Sequence, residues 1–208
     1  MDSFTLMHHA VSKNIEVDCI TFDYGQRHAK EIDCAQQACK ALNVSNLKIK
    51  IPNVDAIFAN SALTDHQVEV PHGSYKAESM KSTIVPNRNM LFISYAISYA
   101  VSRNIDTVWY GAHAGDHFIY PDCRPEFLSN MNAAAQTCHT YPIIVEAPFL
   151  HLTKGEIVKI GLDLDIDYSK TWTCYEGQDL ACGSCGSCNE RQEAFSVNNS
   201  IDPIAYKN

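Results

Sequence analysis

Four cysteines near the end of the chain, Cys174, Cys182, Cys185 and Cys188, fall within fifteen positions and are separated by seven, two and two residues. Two-residue spacers let successive thiols turn onto one point, as a tetrahedral Zn²⁺ with four soft ligands requires. Gly183 and Gly186 directly follow Cys182 and Cys185. Glycine permits positive φ and close backbone approach, which a knuckle wrapped round a metal needs. Disulfides are the competing chemistry, but thiols three apart on a tight knuckle rarely meet the required separation and torsion. No secretory segment places the chain in an oxidising compartment either. Redox or iron–sulfur use is the remaining alternative to zinc. A closed set of four cysteines leaves no open position, so the zinc expected here is structural, one per chain.

A second group of chemically capable residues follows the predicted strands, where ligands of open α/β sheets sit. Asp23-Tyr24-Gly25-Gln26-Arg27-His28 offers a carboxylate, an aromatic face, a flexible glycine and two cations. A capped helix start with a solvated turn explains the same residues equally well. Arg88, in Val85-Pro86-Asn87-Arg88-Asn89, opens the most apolar helix. Unpaired, an arginine there opposes the helix dipole, whereas holding phosphate or carboxylate it makes an anion clamp. Gly111 to His117, with His113 and Asp116, leads into Tyr120-Pro121-Asp122-Cys123-Arg124. The spacing of these histidines and aspartates matches no common metal template, which favours a substrate-reading loop. His8 and His9 are expected on a partly exposed helix face.

The elements that must position these residues are those of an α/β protein. Short apolar runs alternate with longer segments of helical period, the pattern of βαβ units with a parallel sheet. Strands are expected at 16–22, 47–51, 106–110 and 143–147, and helices at 27–42, 89–103 and 125–138. A further helix starts at Thr153, with Glu156 placed for a capping box. The opening segment is helix-like, with Leu6, Met7 and Ala10 turned inward. A Rossmann-like parallel sheet with flanking helices and a small C-terminal zinc knuckle follows as the fold expectation. Residues 1–170 would form the nucleotide- and substrate-binding domain and 171–208 the metal-binding segment.

At 208 residues and 46% hydrophobic content, composition suits one well-buried domain with a small appendage. A formal net charge of −8 argues against a phosphate-tracking surface, and so against direct nucleic-acid binding. No apolar run reaches the roughly 20 residues of a membrane span, so the expectation is a cytoplasmic protein. Cys19, Cys34, Cys39, Cys123 and Cys138 lack metal spacing and read mostly as small buried apolar side chains.

Together the motifs resemble the 7-cyano-7-deazaguanine synthase family of the PP-loop ATP pyrophosphatases. The resemblance runs over essentially the whole chain. It rests on Thr21 to His28, Val85 to Asn89, Tyr120-Pro121-Asp122-Cys123-Arg124-Pro125-Glu126-Phe127 and the four-cysteine knuckle, in order and spacing. The family signature Ser-Gly-Gly-x-Asp-Ser is matched only by its last positions, Met1-Asp2-Ser3. The expectation drawn from this is a start set inside the gene, or a decayed gene. His117-Phe118-Ile119 also departs from the small pair that the family places after Asp116. The resemblance implies ATP-dependent conversion of 7-carboxy-7-deazaguanine and ammonia to 7-cyano-7-deazaguanine, with Mg²⁺ accompanying ATP. Asp2, Ser3, Arg88 and Asp116 would be catalytic. Asp2, Ser3, Tyr24, Gln26 and Arg27 would hold the nucleotide, and Arg88, Asp116, Tyr120, Asp122 and Arg124 the substrate. The partners implied are small molecules, with a homodimer left open. The alternatives are an inactive remnant of the family, another PP-loop ligase and, less favoured, a zinc-knuckle binding module.

Overall fold

The computed structural model describes residues 1–75, 78–177 and 179–207. Over these residues the chain is α/β and forms two compact units, Met1–Pro86 with Lys154–Asn208, and Asn87–Thr153.

In the first unit, α1 (Asp2–Ser12) turns Thr5, Leu6, Met7 and Ala10 inward, and Asp2 in its first turn complements the helix dipole. β1 (Asp18–Asp23) pairs in parallel with β2 (Ser45–Lys50), Asp18 opposite Ser45 through Asp23 opposite Lys50. Parallel neighbours need a crossover, and α2 (Lys30–Ala41) supplies it, burying Ile32, Ala38 and Cys39. Asn43, at φ 53°, ends that helix in the left-handed region that asparagine tolerates. After the single turn α3 (Val54–Ile57), the unit resumes with α6 (Lys154–Asp163) and α7 (Gly186–Ser196). Met1, Val158, Ile166, Tyr168, Ala194 and Phe195 pack into one apolar cluster. Gly161 is required there, since a Cβ would sit 1.9 Å from the Tyr168 hydroxyl, which meets Thr5 Oγ1 at 2.8 Å.

In the second unit, α4 (Arg88–Arg103) precedes β3 (Thr107–Trp109), and α5 (Pro125–Ala135) is the crossover to β4 (Ile144–Glu146). The strands are parallel, Val108 opposite Val145. Ile93 and Ala100 of α4 join Val108, Met131, Ala135, Ile143 and Val145 in the core. Pro125 at the start of α5 needs no amide partner there.

The α/β class, the parallel pairing and the flanking helices agree with the sequence expectation. Among the described residues the four strands form two two-stranded sheets rather than one. Element ends moved by one to three residues: β1 begins at Asp18 and α5 stops at Ala135. Of the five scattered cysteines, Cys39 and Cys123 are buried, Cys19 and Cys34 half-buried, and Cys138 exposed because α5 ends before reaching it. No helix among the described residues is long and apolar enough to cross a membrane.

Candidate functional site

The four knuckle cysteines converge. Their sulfurs all lie within 4.8 Å of one another. Cys182 Sγ and Cys188 Sγ are 3.9 Å apart. Two sulfurs of a tetrahedron with bonds of about 2.3 Å are separated by about 3.8 Å, whereas a disulfide holds them at about 2.0 Å. The spacing fits a metal ion. Backbone amides point at the sulfurs, from Cys182 N to Cys174 Sγ at 3.3 Å and from Cys185 N to Cys182 Sγ at 3.2 Å. Hydrogen bonds with Cys185 and Cys188 hold the Cys174 thiol far below its ordinary range, and the same sharing pushes Cys185 and Cys188 up. The thiols therefore divide a common set of protons that a cation would displace.

The two glycines of the knuckle serve different needs. Gly183 has φ +77°, while Gly186 is helical and lies where a Cβ would meet Met80 Sδ at 2.5 Å. Trp172, Val70 and Ala181 wall the cluster. A strap crosses it: His72 bridges to Cys185, Gly73 N donates to Ser184 O at 2.9 Å, and His72 contacts Ser184 Oγ at 2.8 Å and Glu176 Oε1 at 3.1 Å. Buried Arg191 in α7 forks onto Asp202, Nε to Oδ2 at 2.7 Å and Nη2 to Oδ1 at 2.9 Å, and donates to Thr171 Oγ1 at 2.7 Å. Residues 171–208 are thus packed into the first unit.

At the start of that unit, Asp2 Oδ2 accepts Lys154 Nζ at 2.7 Å, and Lys154 also lies 3.2 Å from Glu190 Oε2. Ser3 is exposed one position further along α1. After β1, Tyr24 is buried with its ring edge-on to Phe58. Gln26, also buried, accepts from Tyr24 N at 2.9 Å and donates to Phe22 O and to Glu31 Oε1, each at 3.0 Å. Arg27 Nη2 donates to the carbonyls of Asp65 and Val68 at 2.8 and 2.9 Å. These side chains brace the turn after β1. Gly177 packs onto that turn so closely that a Cβ would meet Arg27 O at 2.0 Å.

In the second unit the expected substrate residues gather round Cys123. Asp122 Oδ2 accepts Asn89 N at 3.2 Å, capping α4 from a loop 33 positions away. Arg88 reaches Asn89 Oδ1 at 3.4 Å and lies over the Phe92 ring. His113, fully buried, accepts Gly115 N at 3.1 Å and places Nε2 3.5 Å from Asp116 Oδ2. Arg124 Nε donates to His117 O at 2.8 Å, and Tyr120 N to Asp116 O at 2.9 Å. Burial, with Asp116 and Asp122 nearby, pushes the Cys123 thiol up, and burial beside Cys123 and Asp122 does the same to Tyr110. The Tyr110 hydroxyl is buried without a hydrogen-bond partner. Arg88, Asp116 and Asp122 thus lie near Cys123, which packs with Ala112, Ala147 and Leu150.

Sequence reasoning missed Lys154, Glu190 and Tyr110. Lys154 carried a usable signal, because a cation in the first turn of a helix opposes the dipole, as at Arg88. The contacts of Glu190 and Tyr110 are long-range and leave no local mark.

The family model for "Queuosine biosynthesis protein QueC" matches residues 1–199. The 7-cyano-7-deazaguanine synthase of Hahella chejuensis is 52% identical over 207 residues, covering 100% of this chain and 89% of that protein. 7-Cyano-7-deazaguanine synthase 2 of Colwellia psychrerythraea is 50% identical over 206 residues, covering 99% and 94%. Among solved structures, the U34-tRNA thiolase NcsA from Methanococcus maripaludis with its [4Fe-4S] cluster is 12% identical, with a TM-score of 0.48, over 95% of this chain and 61% of that one. With half its residues shared along nearly its whole length, and with a family model matched from its first residue, the chain belongs to the QueC family of queuosine-biosynthesis proteins.

Proposed function

We propose that this chain is a 7-cyano-7-deazaguanine synthase, converting 7-carboxy-7-deazaguanine, ammonia and ATP to the nitrile. The observation that carries this reading is identity of 52% to a curated synthase over 207 residues. A carboxylate is a poor electrophile. Adenylation turns one oxygen into an AMP leaving group and releases pyrophosphate; ammonia displaces AMP to give the amide. A second adenylation, on the amide oxygen, lets AMP and two protons leave, and the nitrile remains. ATP, with Mg²⁺, supplies the activation, so the protein's task is orientation and neutralisation of charge.

In this reading Asp2 and Ser3 complete the pyrophosphate grip at the start of α1, where helix amides favour an anion. Lys154 keeps Asp2 in place. Tyr24, Gln26 and Arg27 form the nucleotide side through the turn they brace. Arg88 neutralises phosphate or carboxylate charge, while Asp116, Tyr120, Asp122 and Arg124 read the deazaguanine edge and its acid. Residues 1–170 carry this chemistry, and 171–208 hold the metal. Zinc, when bound to Cys174, Cys182, Cys185 and Cys188, contributes folding energy and no reaction step. The protein works in the cytoplasm on small molecules, without direct nucleic-acid contact, as a homodimer that light scattering would detect.

The test is to incubate the folded, metal-loaded protein with 7-carboxy-7-deazaguanine, ATP, Mg²⁺ and ammonium, and to follow products by mass spectrometry. Nitrile with two AMP released per turnover is expected. A folded protein that yields neither amide nor nitrile, and no AMP, would overturn the reading.

A further inference from the structure

Three sulfurs meet in the first unit away from the knuckle. Met7 Sδ of α1 lies 3.4 Å from Cys19 Sγ of β1 and 3.7 Å from Cys39 Sγ of α2. The two thiols are thus brought onto the same thioether. Asn46 Nδ2 donates to Cys39 Sγ at 3.6 Å and to Thr21 Oγ1 at 2.9 Å. Met7 and Cys39 are buried in an apolar cluster with Ala38, beside Phe4, Leu42 and Val44, while Cys19 is half-buried. Ordinary packing would leave such thiols on a backbone oxygen, as Cys138 does on Ala135 O at 3.1 Å. Here both point at a thioether.

We propose that Met7, Cys19 and Cys39 form a three-coordinate site for a soft monovalent cation of the Cu(I) class. Thiolate and thioether donors select such ions, whereas hard cations need oxygen ligands. With metal–sulfur bonds of about 2.3 Å, three sulfurs round an ion stand about 4.0 Å apart. The triangle must therefore open by only a few tenths of an ångström. Binding replaces two S–H protons by one cation, leaving a site of net charge −1 that the Asn46 amide faces with its positive end. An ion bound here would tie α1 to the β1–α2 unit.

The test uses the zinc-loaded full chain without oxygen, with Ag⁺ as a redox-inert probe and Cu⁺ delivered from a bicinchoninate complex. Native mass spectrometry is expected to show one added ion per chain with zinc retained. Alkylation of Cys19 by N-ethylmaleimide, mapped by peptide mass, should slow at least tenfold while Cys138 reacts as before. Met7→Leu should weaken binding about tenfold, and Cys39→Ser should remove the one-to-one complex. Uptake only with loss of zinc, or unchanged labelling of Cys19 in the wild-type protein, would overturn the proposal, and neither readout depends on a variant folding.

Discussion

The knuckle and the loop cluster round Cys123 make opposite use of polar groups. In the knuckle, four sulfurs from one short stretch close on each other, and amides and a strap complete their surroundings. Round Cys123 the groups come from α4, the loop after β3 and the start of α5, and much of their hydrogen bonding positions a neighbour. Closure suits stability. Charged groups whose contacts to neighbouring residues fix their directions suit a ligand that comes and goes. The difference teaches that cysteines at metal spacing are brought together locally, while charged groups drawn from several elements are brought together by the fold.

The sharpest way to break that contrast is at the knuckle. Cys185→Ser should release the metal and destabilise the first unit. A structural zinc contributes roughly 12 kcal/mol in small peptides. A loss of even a third of that, about 4 kcal/mol, lowers Tm by about 8–16 °C in a chain of this size. Calorimetry with metal analysis checks it, and full stability without metal would end the structural assignment.

Arg88→Ala should behave in the reverse manner. Loss of one aimed donor to developing charge costs about 10²–10³ in kcat, with the fold retained. Near-normal turnover would remove Arg88 from the site.

Asp122 separates its two roles by substitution. Asp122→Asn keeps an oxygen for Asn89 N and should hold stability, while Asp122→Ala should cost about 1 kcal/mol for the lost cap. Both should slow turnover if the carboxylate reads the substrate. An Asn variant with unchanged kinetics would reduce Asp122 to a cap.

The smallest effect concerns Tyr110 and alkaline pH. Its folded-state pKa is raised, by burial first, so the native state keeps a proton that the unfolded chain gives up near pH 10. Stability from this group is full below about pH 10 and is lost as pH rises beyond it. Tyr110→Phe should flatten the decline seen in chemical denaturation between about pH 9.5 and 11, and at neutral pH should cost nothing or gain about 1 kcal/mol by removing a buried hydroxyl without a partner. An unchanged alkaline limb would show that Tyr110 titrates normally.

Much of this molecule was legible in its sequence, and for physical reasons. Periodicity found α1, α2, α4 and the four strands, because inward residues such as Leu6, Met7 and Ala10 must recur at helical spacing. The knuckle was legible because its ligands are close in sequence, although Gly183 and Gly186 looked alike and only the fold separates a positive φ from a tight contact. The Asp122 cap and the clasp of Lys154 on Asp2 were not legible. Each joins elements whose approach depends on packing. The turn after β1 shows the same limit: Tyr24, Gln26 and Arg27 stood out as polar groups, and the fold gives all three bracing contacts.

The second unit, residues 87–153, is an insertion between the two parts of the first. On the ribosome this sets an order. Its residues emerge as an uninterrupted stretch and can close while synthesis continues, whereas α1 must wait for α6. At about 5–20 residues per second, the interval from Pro86 to the last helix is roughly 5–20 s. Throughout it Met1 lacks its covering by Val158, Ile166 and Phe195, so the nascent first unit is a client for chaperones in a way that the inserted one is not.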